Sequence, residues 1–312
     1  MPEIIIRSPG FLTTVQDTGR FGFQKYGMPV SGAMDIFSLQ LANALVGNSP
    51  GDACLEVTIT GPAIEFTCGG LVAVTGAGMS PSKNGLPVRN NKSISVKRGD
   101  VLSFGELRSG CRSYIAFAGG ISIPAVMGSR STYMRSKTGG LEGRPLKTGD
   151  KLQIGEAVRK PVVSQIPSEW LPQYIANKEI RVVSGPEVDS FHIDSLNSFF
   201  GSEYEVTENS DRMGYRLSGS ALKTISGTAD IISAGLAFGT IQVPGDGQPV
   251  ILMADRPTTG GYNRIACVIT ADLTLVAQMK PGDRIKFREV TQTEAAELIT
   301  ERSAFLKGLF NT

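Results

Sequence analysis

Histidine is almost missing from this 312-residue chain; His192 stands alone. A histidine-rich metal centre is therefore excluded within one copy of the chain, and a Ser-His-Asp or Cys-His mechanism would have to use that one residue. Cysteine is scarce as well. The four thiols, at 54, 68, 111 and 267, lie far apart in apolar settings such as Ile265-Ala266-Cys267-Val268, which suits neither a disulfide scaffold nor a Cys-x-x-Cys metal site. Four buried thiols in a reducing cytoplasm are the expectation. Charge is thin at 19% and balanced at 31 basic against 29 acidic groups, with no long basic run. Nucleic acid and anionic membrane surfaces are poor candidates for the main partner. No apolar run reaches the roughly 20 residues that cross a bilayer. The opening Met1-Pro2-Glu3-Ile4-Ile5-Ile6-Arg7 reads as a strand and lacks the parts of a signal peptide.

Nucleotide motifs are missing too. There is no Gly-x4-Gly-Lys-Ser/Thr stretch. Thr75-Gly76-Ala77-Gly78 follows a strand, but Met79-Ser80-Pro81-Ser82 does not open a helix, so the dinucleotide fingerprint fails and a turn is expected. Gln278-Met279-Lys280-Pro281 is a weak match to a biotinyl-lysine site, and its proline argues against one, so no biotin is expected on this chain.

What the chain does contain is glycine, 37 residues, and 17 prolines, which suit many tight turns and a β-rich fold. Short β-rich runs include Leu55–Ile59, Leu71–Val74, Ser113–Ala118, Ile180–Val183, Pro249–Met253 and Arg284–Val290. One pattern occurs three times, at Arg98-Gly99-Asp100, Thr148-Gly149-Asp150 and Pro281-Gly282-Asp283. Each is a Gly-Asp turn feeding an alternating strand, and the second and third are expected to close two similar barrels. Helices are expected at Asp35–Val46, stopped by Gly47, behind the capping-box pattern Ser184-Gly185-Pro186-Glu187, and from Thr291 onward. In the second of these, His192 falls beside Phe191 on the apolar side and reads as a packed or capping residue. Residues 158–177, with Pro161, Pro167 and Pro172, read as a linker, and Trp170 is expected against a barrel wall. The outline is mainly β: a barrel-like domain over 1–157, the linker, and a second barrel-like domain over 178–312 with a C-terminal helix, helices plugging the barrel mouths.

Three polar, glycine-rich stretches carry the candidate chemistry. Residues 13–35 end at a helix N-terminus, where Ser31, Gly32 and free amides suit an anionic or carbonyl oxygen and Arg20 suits a carboxylate or phosphate. Residues 211–217 set Arg212 and Arg216 four apart around Gly214, able to converge on one anion. Residues 254–266 offer Thr258, Thr259, two glycines and Tyr262 behind an apolar strand. Structural readings (a capped loop, a solvated strand edge, a hairpin turn) stand beside each.

With Leu55-Glu56-Val57-Thr58, Ala118-Gly119-Gly120-Ile121, Met127-Gly128-Ser129-Arg130-Ser131-Thr132 and Gly139-Gly140-Leu141-Glu142-Gly143-Arg144, these stretches resemble the allophanate hydrolase subunit 2 family, also called biotin-dependent carboxyltransferase-like or KipA-like. The resemblance runs from about Ile4 to about Arg288. It implies two tandem cyclophilin-like β-barrels and a partner of the subunit 1 type. A stand-alone chain of this length is most similar to the C-subunit branch serving ATP-dependent 5-oxoprolinase. There three subunits (this type, a subunit 1-like B subunit and a LamB/YcsF-like A subunit) convert 5-oxoproline and ATP to glutamate, ADP and phosphate. The resemblance implies a site lined by Gln16, Asp17, Arg20, Tyr26, Ser31, Asp35, Glu56, Arg212, Arg216, Asp255, Thr258, Thr259 and Tyr262. Asp17, Arg20, Asp35, Arg212 and Arg216 would be catalytic, the others substrate-binding, with ATP as cofactor of the complex and no metal ligand set. The loops near 20, 214 and 259 are expected to meet in one cleft facing a second polypeptide. Two departures bear on the substrate: Asn263 replaces the usual proline after Gly-Gly-Tyr, and Asp211 replaces a common asparagine. A regulatory antagonist of a kinase inhibitor and the carboxyltransferase half of a urea-degrading enzyme are the alternatives.

Overall fold

The computed structural model describes residues 2–174 and 177–310. Two compact units are present: Met1–Phe21, Ser31–Tyr174 and Ala304–Thr312 form unit 1, and Gly22–Val30 with Ile175–Ser303 forms unit 2. The fold is mainly β in two barrel-like units, the class expected from the sequence. No helix among the described residues is long and apolar enough to cross a membrane.

Unit 1 holds β1 (Glu3–Ser8), β2 (Leu12–Gln16), α1 (Ile36–Val46), β3 (Cys54–Thr58), β4 (Ala63–Phe66), β5 (Gly70–Gly78), β6 (Pro81–Lys83), β7 (Leu86–Pro87), β8 (Ser93–Val96), β9 (Val101–Phe104), β10 (Ser109–Phe117) and β11 (Lys151–Gln153). They form a six-stranded sheet, β11-β1-β4-β9-β6-β7, and a five-stranded sheet, β2-β3-β10-β5-β8. The alternation of strand side chains explains the packing. Leu55, Val57, Val72, Val74, Ile115 and Phe117 join Ile4, Ile6, Ile64, Phe66, Leu102 and Leu152 of the other sheet in one core. The intervening Cys54, Ala73, Tyr114 and Ala116 face the opposite way, into a second core built on α1. Three of those four are small, which lets the helix approach the sheet. α1 is buried on nearly every side, as an apolar-all-round helix must be. Asp35 caps it by accepting from Ser38 N at 3.0 Å, and Gly47 ends it in the left-handed region at φ 75°.

Unit 2 holds β12 (Asn177–Ser184), α2 (Ile193–Gly201), β13 (Tyr204–Val206), β14 (Gly214–Ser218), β15 (Asp230–Gly235), β16 (Thr240–Val243), β17 (Val250–Leu252), β18 (Thr259–Val268), α3 (Leu273–Ala277), β19 (Arg284–Glu289) and α4 (Gln292–Phe310). The order β12-β19-β13-β14-β17-β16-β18 returns to β12 through a β12–β18 pairing, so these strands close a barrel, and β15 hangs on β18 outside it. In β19, Ile285 and Phe287 point inward, and Phe199 of α2 stacks on Phe287 at 4.6 Å.

Several expectations meet a different local structure. The second helix starts at Ile193 rather than directly behind Ser184, because Glu187 is taken by Arg264 (2.5 Å) and Val188–Ser190 forms only a 3-10 turn. His192 is exposed and stands at the N-cap, where its carbonyl accepts from Ser195 N and Leu196 N but its side chain makes no capping bond. Residues 259–266 are strand, not loop, held between β15 and β16. Trp170 stacks on Phe305 at 4.0 Å within the α1 core rather than on a barrel wall. The described part of the expected linker, through Tyr174, belongs to unit 1, and residues 175 and 176 lie outside the described residues. α4 is divided between the units: its residues through Ser303 belong to unit 2, and its last residues, including Leu306 and Leu309, belong to unit 1.

The three Gly-Asp turns are one structural device. In each, the aspartate Oδ2 accepts the backbone N–H three residues back: Asp100 from Lys97 at 2.9 Å, Asp150 from Lys147 at 2.7 Å and Asp283 from Lys280 at 3.1 Å. The glycines sit at φ 87°, 88° and 86°, where a side chain is strained. Each glycine N–H donates to the carbonyl of a strand residue, Phe66, Ile6 or Val206, whose own N–H donates to the aspartate carbonyl. Two of these turns lie in unit 1 and lead into β9 and β11 of one sheet; the third leads into β19 of the closed barrel.

Asp150 is also gripped by Arg144, at 2.7 and 3.0 Å, and these hydrogen bonds hold its carboxyl below the usual carboxylate range. A lowered folded-state value gives stability that is complete above the unfolded value of about 3.9 and is lost as pH falls through the folded value. Unfolding free energy measured by urea denaturation from about pH 6 down to about pH 2 should therefore drop more in the wild type than in Asp150→Asn. Superimposable pH profiles would show that the pair contributes nothing.

Candidate functional site

The strand register of unit 1 lines up a polar row on the α1 side of the five-stranded sheet. Thr14 lies opposite Glu56, Glu56 opposite Tyr114, and Tyr114 opposite Thr75. Glu56 is 2% exposed; its Oε2 accepts from the Tyr114 hydroxyl at 2.7 Å and from Met34 N at 2.8 Å. The Tyr114 oxygen in turn accepts from Asp35 N at 2.7 Å, and Thr75 donates to the Ser38 carbonyl at 2.6 Å. Burial, then the charges of Glu56 and Asp35, pushes the Tyr114 phenol far up, so it stays a neutral donor. The row thus fixes the N-terminal turn of α1, whose free amides favour the neighbouring carboxylates.

Beside it, Asp17 is the hub of the loop at 127–132. It accepts from Gly19 N (2.8 Å), Ser129 Oγ (2.7 Å), Arg130 N (2.5 Å) and Ser131 Oγ. Arg20 is 0% exposed and donates to the Ser131 carbonyl. Gln16 donates to Thr14 Oγ1 at 3.0 Å and the Thr132 carbonyl at 3.1 Å, and Ser31 donates to that same carbonyl at 3.3 Å. Ser31 holds a left-handed backbone, φ 56°, an uncommon state for a non-glycine residue. Gly139 and Gly140 are needed behind this loop. A Cβ on Gly139 would stand 2.2 Å from the Ser131 carbonyl, and one on Gly140 would stand 1.9 Å from Thr132 Oγ1. Gln16, Asp17, Arg20, Ser31, Asp35 and Glu56 are therefore gathered in unit 1, all buried and all bonded to the frame.

The remaining candidates fall in unit 2. Arg212 and Asp255 form a bidentate ion pair, Nε–Oδ2 2.9 Å and Nη2–Oδ1 3.2 Å, with side chains 7% and 6% exposed. Asp255 N also donates to the Arg212 carbonyl at 2.8 Å, so two loops are tied together. Arg216, one strand turn further on, is exposed. It lines a cavity of about 300 Å³ with Asp211, Gln242, Val250, Leu252 and Tyr262. Asp211 accepts from Met213 N (2.7 Å) and Gly214 N (3.3 Å), which shapes the rim, and Gln242 donates to the Tyr262 carbonyl at 3.2 Å. Thr258 is half-buried, Thr259 exposed and Tyr26 72% exposed; none of these three lines that cavity.

Sequence reasoning assigned no site role to Tyr114, Ser129, Ser131, Thr132 or Gln242. Of these only Gln242 carried a usable signal, a polar residue between Ile241 and Val243 of a strand; Tyr114 looks like core, and Ser129, Ser131 and Thr132 lie outside the strands. Among the described residues, no group of His, Cys, Asp and Glu could hold a metal ion.

A model described as the carboxyltransferase domain, subdomain A and B, matches residues 26–289. The chain is 40% identical over 305 residues to the C subunit of 5-oxoprolinase from Escherichia coli (strain K12), covering 98% of this chain and 96% of the relative. It is 37% identical over 329 residues to urea amidolyase of Saccharomyces cerevisiae, but spans only 18% of that protein. The solved K. lactis urea amidolyase superposes with a TM-score of 0.94 at 34% identity, over 98% of this chain and 20% of that one.

Breaking the Arg212–Asp255 pair from one side leaves a buried carboxylate short of its counter-charge. Arg212→Ala should cost about 3–5 kcal/mol in urea denaturation. A loss within ~0.5 kcal/mol would show the pair to be solvated and dispensable.

Proposed function

The chain belongs to the carboxyltransferase domain family, subdomains A and B, and on that premise we propose that it is the C subunit of an ATP-dependent 5-oxoprolinase, opening a cyclic amide together with partner subunits. The observation that carries this reading is the end-to-end match to a stand-alone protein of that name, 98% of one chain against 96% of the other. The partners in this reading are a subunit 1-like B subunit and a LamB/YcsF-like A subunit, and ATP is the cofactor of the assembled enzyme.

A lactam resists water because its nitrogen shares electron density with the carbonyl. ATP supplies a phosphoryl group that turns the amide oxygen into a leaving group. The task left to this chain is to hold the substrate and steady negative charge. In unit 2, the exposed guanidinium of Arg216 is the group suited to the substrate carboxylate, with Tyr262 and Gln242 beside it to orient the ring. Arg212 and Asp255 act as positioning residues, since their charges are spent on each other. Asp17, Arg20, Asp35 and Glu56 are read the same way in unit 1: bonded into the frame, they hold the loops at 17–20, 31–35 and 129–132.

A second reading has its own support: carboxyl transfer, as the domain name and the urea amidolyase likeness suggest. It needs a biotinyl carrier supplied from elsewhere.

The test is ATP hydrolysis by the reconstituted complex with 5-oxoproline. Arg216→Ala should lower kcat/KM by about 10²-fold or more, mostly through KM if the guanidinium binds the substrate carboxylate. Unchanged 5-oxoproline-dependent turnover would remove Arg216 from the site. Absence of any turnover, with carboxyl transfer from a biotinyl carrier instead, would favour the second reading.

A further inference from the structure

A second cavity of unit 2, about 480 Å³, lies on the other face of the same β16 end. Gln242 and Pro244 line the Arg216 cavity, whereas Val243 and Gly245 join Pro244 in lining this one, as strand alternation requires. Its apolar lining includes Leu222 and Val243, 4% and 2% exposed. His192 and Lys223 also line it, and both are exposed.

Arg181, Arg212 and Arg264 are each clamped to a carboxylate, at 2.6, 2.9 and 2.5 Å. Among the described residues, the His192 ring and the Lys223 ammonium make no hydrogen bond or ion pair. Their backbones are fixed instead: His192 N donates to the Lys223 carbonyl at 3.1 Å, and Lys223 N donates to Ser195 Oγ at 2.8 Å. Both side chains thus line one cavity, and the Lys223 ammonium is left without a counter-charge. No aspartate or glutamate lines the cavity, although Asp194 adjoins it in sequence. The Thr224 and Ser226 hydroxyls, also in the lining, both donate to the Thr228 carbonyl, at 2.8 and 3.5 Å, which leaves the His192 ring and the Lys223 ammonium as the uncommitted side-chain donors.

We propose that this cavity is a separate binding site for a small organic anion, a carboxylate or phosphate ester on an apolar body. The head group would sit between His192 and Lys223 and the body against Leu222 and Val243. An ammonium and an imidazole N–H with no carboxylate in the lining favour an anion, and the apolar lining rewards burial of a hydrocarbon portion. The site does not depend on which reaction the chain serves.

Because His192 is the only histidine, its ring signals can be followed by NMR in the untagged full chain without ambiguity. Titration with benzoate or phenyl phosphate should shift them saturably, with Kd of about 1 mM, and benzyl alcohol should not. Lys223→Glu, at an exposed position, should weaken binding at least ~10-fold while leaving the rest of the spectrum unchanged. Shifts that stay linear, that benzyl alcohol reproduces, or that Lys223→Glu leaves intact would overturn the proposal. Equal binding of inorganic phosphate would place recognition in the head group alone and overturn the assignment of an apolar body.

Discussion

The buried Glu56 carboxylate is the constraint on which unit 1 depends. A carboxylate at 2% exposure is costly unless every lone pair is directed at a donor. Here the donors are a tyrosine hydroxyl from β10 and the backbone of Met34 at the entrance to α1. Satisfying the charge therefore fixes the helix against the sheet. The Tyr114 oxygen extends the same logic to Asp35 N, and Asp35 caps the helix. Sheet, loop and helix terminus are locked by one charge and the neutral phenol beside it.

How much of this was visible in the sequence depends on how local the cause is. The Gly-Asp turns were readable because glycine, aspartate and the amide three residues back lie within four positions, and all three form the same bonds. α1 was readable for similar reasons: an aspartate cap, an apolar run and a glycine stop. The helix after Ser184 was misplaced because its capping glutamate was needed by Arg264, 77 residues away. The Tyr114 role was not readable at all. A tyrosine in an apolar strand looks like core until the register sets it between Glu56 and Thr75.

The likeness to two differently named enzymes is reasonable physically. One fold can host different reactions, because the chemistry resides in the site rather than in the scaffold. The urea amidolyases are much longer chains, of which this chain spans about a fifth. Sequence identity across the shared part therefore reports the common domain more directly than the reaction.

Arg212 and Arg216 show why residue type and spacing are weak guides to function. Four apart around a glycine, they look like a matched pair for one anion. In the fold their fates separate. Arg216 lies in β14 with Tyr215 and Leu217 turned inward on either side, so alternation sends it outward to a cavity rim. Arg212 precedes the strand and meets Asp255, 43 residues on, which cancels its charge. The same division runs through the rest of unit 2, where Arg181 and Arg264 are neutralised while Arg216 and Lys223 line cavities. A cation held to a carboxylate has little attraction left for a ligand anion. The distribution of carboxylates, more than that of the arginines and lysines themselves, decides where this unit can bind negative charge.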